Sequence, residues 1–153
     1  YRESYDMGEG AAVLPLDRAA GKILLIRQFR WPVFERGHHA LLIEAVAGKL
    51  DGDDPETCAI REAMEEAGVA IGKPRLVTHC FTSPGAVTER LSLFLADYDS
   101  TAPRGKGGGH EEEGEDIEAF EVTLDEGLAM IASGGIIDAK TIILLQAAKL
   151  SAP

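Results

Sequence analysis

This chain is short of positive charge, of aromatic side chains and of cysteine, and each shortage excludes something. Its 153 residues carry 15 Lys and Arg against 26 Asp and Glu, a formal charge of −11. A surface of that sign repels a phosphodiester backbone, so nucleic acid is excluded as the main partner. The two cysteines, Cys58 and Cys80, form no C-x-x-C pair and suit buried free thiols in a reducing cytoplasm. No apolar run is long enough to span a bilayer, and no membrane partner is expected. Aromatic residues make up 6% of the chain, but hydrophobic residues make up 45%, enough for the core of one ordinary domain. Residues 1–153 are therefore read as a single domain. The first residue is Tyr1 rather than methionine, and residues 1–9 read as the remnant of an N-terminal arm.

Strand-like aliphatic runs occupy residues 22–28, 40–47, 75–81, 90–98 and 117–122. A turn over 17–21 predicts a hairpin between residues 11–14 and the first of these runs. Helices are expected over 124–132 and 139–150. Another should start after Asp54, as N-cap, with Pro55 at the first helical position, and end at Gly68. On that helix Glu62, Glu65 and Glu66 share a face, with Ile60, Ala63, Met64 and Ala67 expected opposite them in a core. Three clustered carboxylates repel one another unless something positive joins them, and their oxygens suit hard divalent cations. The run RGKGGGHEEEGED reads as a mobile acidic loop.

The stretch from Gly48 to Val69 resembles the Nudix box, G-x5-E-x7-R-E-U-x-E-E-x-G-U with U aliphatic. Gly48 matches the opening glycine, and Arg61-Glu62-Ala63-x-Glu65-Glu66-x-Gly68-Val69 matches the second half. Between Gly48 and Arg61 the chain is one residue short, and the upstream glutamate gives way to Asp53 or Asp54. Further segments resemble the GDP-mannose hydrolase and ADP-ribose pyrophosphatase branches of the family. They are Arg27-Gln28-Phe29-Arg30, Ser83-Pro84-Gly85 through Glu89, the glycine run leading to Glu113-Gly114-Glu115-Asp116-Ile117-Glu118, and Gly135 to Thr141.

The resemblance implies an α/β fold, an α/β/α sandwich on a mixed sheet. It implies a Mg2+-dependent hydrolase, with Mn2+ as a possible substitute, that cleaves the pyrophosphate bond of a nucleoside diphosphate sugar. GDP-mannose, giving GMP and mannose 1-phosphate, is favoured. The alternatives are ADP-ribose, giving AMP and ribose 5-phosphate, and a non-catalytic nucleotide-sensing domain. By resemblance the metal ligands are Glu62, Glu66, Glu115 and the carbonyl of Ala47. Glu113 is the candidate general base, Glu65 a catalytic or bridging carboxylate, and Arg61 the group that orients the cluster. Arg30, Gly48, Glu89, Gly114 and Lys140 are candidate substrate contacts. Arg2 and Glu3 join them across an expected homodimer interface.

Overall fold

The computed structural model describes residues 1–39, 41–110, 112, 114 and 116–151. In chain order the elements are β1 Glu9–Asp17, β2 Lys22–Phe29, α1 Trp31–Glu35, β3 Leu41–Glu44, β4 Val46–Lys49 and α2 Pro55–Ala67. They continue with β5 Arg75–Phe81, β6 Arg90–Asp97, β7 Glu118–Thr123, α3 Leu124–Ala132 and α4 Ala139–Leu150. The strands form one mixed sheet with the path β3-β2-β1-β6-β5, to which β4 adds through β1 and β7 through β2. The β1–β6 pair is parallel, and the other strand pairs are antiparallel.

Both faces of the sheet are covered, so its central strands are aliphatic without interruption rather than alternating with polar residues. The period of two still sorts them. Ala11 and Val13 of β1, Leu24 and Ile26 of β2 and Phe94 and Ala96 of β6 pack with Cys58, Ala59, Ala63 and Ala67 of α2. Their neighbours Ala12, Leu14, Ile23, Leu25, Leu93 and Leu95 pack with Leu144, Leu145 and Ala148 of α4. The expected α/β/α sandwich is what forms. No helix among the described residues is long and apolar enough to cross a membrane.

Three expectations change. Residues 40–47 do not form one strand. β3 pairs with β2, β4 pairs with β1, and Ala45 lies between them. The Ala45 N–H leaves the ladder and donates to Thr141 Oγ1 at 2.7 Å. Second, Ile60 and Met64 of α2 are exposed, whereas Glu62 and Glu66 are buried beside Ala59 and Ala63. The carboxylate-bearing face of the helix is therefore the face turned inward. Third, the start of the glycine run is stitched to the end of α2. Gly105 N–H donates to Gly68 O at 2.7 Å, Gly108 N–H to Glu66 O at 2.8 Å and Gly109 N–H to Glu65 O at 3.0 Å. The carbonyls at the end of a helix lack intrahelical donors, and this run supplies them.

Candidate active site

The placement of α2 begins with its ends. Asp54 Oδ1 accepts from the N–H groups of Glu56 and Thr57 at 3.0 and 3.1 Å, and Pro55 opens the first turn. Gly68 closes the helix in the left-handed conformation with φ 67°. A Cβ on Gly68 would lie 2.6 Å from Gly105 O, so this glycine also admits the glycine run. Asp53 turns to a side chain instead, and its Oδ2 accepts from Arg61 Nε at 3.0 Å. The two aspartates that the sequence left interchangeable are thus distinct, one the arginine partner and the other the helix cap.

Arg61 organises the acidic face. Its Nη1 donates to Glu62 Oε1 and to Glu65 Oε2, both at 2.8 Å, and Nη2 donates to Lys49 O at 3.0 Å. Burial works against the guanidinium charge, but Asp53, Glu62 and Glu65 outweigh it and Arg61 holds its proton more tightly than usual. Glu66 Oε2 accepts from the Ala47 N–H at 3.0 Å, which fastens the helix to β4. Gly48 follows, and a Cβ there would stand 1.8 Å from Glu62 Oε1. Only glycine lets this strand and this carboxylate share the space. Cys58 lies beneath the same strand, its Sγ 3.3 Å from Lys49 O, and burial pushes its thiol up to about 11. It is an inert packing group. Cys80 is half-buried on β5.

A cleft of about 490 Å³ opens over this face, lined by Ala47, Gly48, Arg61, Glu62, Glu65 and Glu66 and also by Gln28, Arg30, Asp138 and Lys140. Glu89 also lines it and accepts from Thr82 Oγ1 at 2.6 Å. Arg30, just after β2, donates from Nε to Glu44 Oε1 at 2.6 Å and from Nη2 to Oε2 at 3.0 Å. Lys140, in the first turn of α4, pairs with the same Glu44 and with Asp138 Oδ1 at 3.1 Å. The sequence reading missed Glu44. It sits at the end of an apolar strand, and its partners are distant in the chain. His110 was missed as well. It ends the glycine run, lines the cleft and places Nε2 3.4 Å from Glu65 Oε2.

Arg2 and Glu3 are exposed, while Tyr5 bridges in parallel to Val87 and the Met7 N–H donates to Thr88 Oγ1 at 3.0 Å. The start of the chain therefore runs along its own Ser83–Glu89 loop. Gly114 has φ 74°. Glu113 and Glu115, the candidate base and loop ligand, lie outside the described residues.

Among the described residues no three His, Cys, Asp or Glu side chains already converge as a ligand set. The donor chemistry nevertheless fits a divalent cation. Glu62 and Glu66 are buried carboxylates on one helix face, and the Gly48 backbone is bare enough for Glu62 to lie against it. Hard oxygen donors of this kind are what such ions take.

Comparison with known proteins adds an independent line. The NUDIX domain matches residues 7–143. A GDP-mannose pyrophosphatase from Pectobacterium atrosepticum is 47% identical, with the alignment covering 95% of this chain and 75% of that protein. One from Cronobacter sakazakii is 46% identical over the same shares. One from Escherichia coli O1:K1 is 41% identical over 98% of this chain and 78% of its own length.

Proposed function

The chain belongs to the Nudix family, and from that membership we propose that it hydrolyses GDP-mannose to GMP and mannose 1-phosphate. As a Nudix pyrophosphohydrolase it acts on acid anhydrides of phosphorus. One observation carries the reading into chemistry: the α2 carboxylates line the same cleft as Arg30 and Lys140. A diphosphate needs both sides, a hard cation for its non-bridging oxygens and fixed donors for the rest of its charge.

Nudix hydrolases work with divalent metal ions, and Mg2+ is our choice here, with Mn2+ as substitute. Glu62, Glu66 and the Ala47 carbonyl are the residues to hold it, joined by Glu115 from the acidic loop. Bound there, the ion would offset phosphate charge and make water a better acid. Arg61 keeps Glu62 and Glu65 in place through its two 2.8 Å hydrogen bonds. Glu113 takes the proton from the attacking water, with Glu65 or Glu112 next in line. Arg30 and Lys140 bind the diphosphate, Glu89 accepts from sugar hydroxyls, and Gly48 and Gly114 let backbone approach the substrate. Arg2 and Glu3 reach the base of the substrate bound in a partner subunit. Light scattering should therefore give about twice the mass of one chain. The free thiols Cys58 and Cys80 suit a reducing cytoplasm.

The test is identification of products from GDP-mannose and from ADP-ribose with Mg2+. GMP and mannose 1-phosphate at the higher kcat/KM support the reading. Preference for ADP-ribose moves the enzyme to the other branch. Tight binding of GDP-mannose without turnover leaves a sensing domain.

A further inference from the structure

Glu44 is 1% exposed, and the carboxyl it buries is shared by two cations from different parts of the chain. Arg30 meets it through Nε and Nη2, a two-point fork that fixes the plane of the guanidinium as well as its place. Lys140 shares Oε2 with Arg30 and is held from the other side by Asp138. Asp138 Oδ2 in turn accepts from the N–H and Oγ1 of Thr141, and Thr141 Oγ1 accepts from Ala45 N–H, next to Glu44. The loop of bonds closes on itself, so α4 and the β3–β4 junction cannot shift separately.

Burying an ion pair is seldom the stablest way to fill such a space, because the desolvation cost consumes most of the attraction. This arrangement does something an apolar filling would not. One edge of Arg30 is spent on Glu44, yet its side chain remains 41% exposed and lines the cleft. Glu66 lines the same cleft, and its charge favours that of Arg30. Without a nearer anion, a long cationic side chain that feels the Glu66 charge would be drawn towards it and would compete for a metal-holding oxygen.

We propose that Glu44 is a positioning residue for the reaction. Its carboxylate aims Arg30 and Lys140 jointly at the substrate diphosphate and keeps both off the α2 carboxylates. The inference rests on the proposed pyrophosphate chemistry of this cleft. It makes the cation side a preset unit rather than two flexible side chains gathered by the substrate, which lowers the ordering cost of binding.

The test combines Glu44→Gln with Arg30→Ala. Glu44→Gln keeps the shape and one acceptor but frees Arg30 and leaves Lys140 to Asp138 alone. It should raise KM for GDP-mannose at least about tenfold while kcat changes by less than about threefold. It should weaken binding of imidodiphosphate, a non-hydrolysable pyrophosphate, to a similar degree in Mg2+ buffer by calorimetry. It should also weaken Mn2+ binding without substrate. If Glu44 acts through Arg30, adding Glu44→Gln to Arg30→Ala should raise KM much less than it does alone. The double variant should recover thermal stability, because the buried charge leaves with its partner. A purely structural role predicts the opposite: a lowered Tm with KM, imidodiphosphate Kd and Mn2+ Kd unchanged, and that result overturns the proposal. Additive KM effects also overturn it. Should Glu44→Gln fail to fold, Glu44→Asp, which keeps the charge but withdraws it by one methylene, takes its place in the same cycle and the same binding readouts. Should the wild-type protein release no products from GDP-mannose, the functional reading fails. Imidodiphosphate and Mn2+ binding still judge Glu44 on their own.

Discussion

The acidic and basic groups that line the cleft are built in opposite ways. The acidic side comes from one continuous stretch, Gly48 to Gly68, in which a strand end, a turn and a helix carry Gly48, Asp53, Arg61, Glu62, Glu65 and Glu66. The basic side comes from three places, Arg30 after β2, Glu44 at the end of β3 and Lys140 in the first turn of α4. On the acidic side the geometry is set by helix pitch, which puts residues three and four apart on one face. On the basic side it is set by long-range packing. A local device depends on its own backbone, so it should break at single atoms. A distributed device should fail in stages, through its anchors.

The largest expected effect is on the acidic side. Glu66→Gln keeps the shape and can still accept from Ala47 N–H, but it removes a charge from the cation site. Turnover should fall at least about a hundredfold with Tm nearly unchanged. Near-normal turnover in steady-state assays would remove the metal reading. Next is Gly48→Ala, whose Cβ would stand 1.8 Å from Glu62 Oε1. Displacing that carboxylate should cost about tenfold to a hundredfold in turnover, with more Mg2+ needed for half-maximal rate. A variant with wild-type Mg2+ dependence would mean that Glu62 is not a ligand.

Gly107→Ala probes the stitched run. Its φ is 58°, and a Cβ would lie 3.0 Å from Glu66 O and from Gly68 N. The loop should lift from α2, and turnover should fall by roughly threefold to tenfold, consistent with a displaced but intact loop. An unchanged rate would separate the acidic loop from the reaction.

On the basic side, Thr141→Val removes the acceptor for Ala45 N–H in a fully buried position. Denaturant unfolding should show a loss of about 1–3 kcal/mol, the usual cost of an orphaned buried donor. KM should rise modestly, and a stability loss without any KM change would uncouple the α4 anchor from substrate binding. The smallest effect is on acid stability. Burial pushes Glu44 up, but Arg30 and Lys140 outweigh it, so its carboxyl lies below the ordinary 4.5. A depressed carboxylate contributes stability that is present above 4.5 and lost as pH falls through its folded value. In chelator, the unfolding midpoint of Glu44→Gln should therefore fall less steeply with acid below that pH than that of the wild type. Equal slopes would show that Glu44 does not titrate in the pair.

The sequence by itself determined what short-range rules can determine. The spans read for α3 and α4 hold, with Thr123 and Asp138 capping their starts in the structure, and α2 follows from Asp54, Pro55 and Gly68. The carboxylate face follows from helical spacing, and the family from the motif that spacing makes. What the sequence could not carry was any choice between equally good local options. Nothing local says that Ala45 will leave its ladder for Thr141, so β3 and β4 read as one strand. The apolar pattern on α2 put Ile60 and Met64 in the core with Ala63 and Ala67, but the sheet took only Ala63 and Ala67, with Ala59 beside them, and these small residues let the helix approach closely and turned Glu62 and Glu66 inward. Glycine-rich sequence looks mobile because its backbone is free, and only the nearby end of α2 gave that backbone its partners. Glu44 belongs to the same class. Its meaning lies in two cations 14 and 96 residues away, and only the folded chain brings them to one carboxylate.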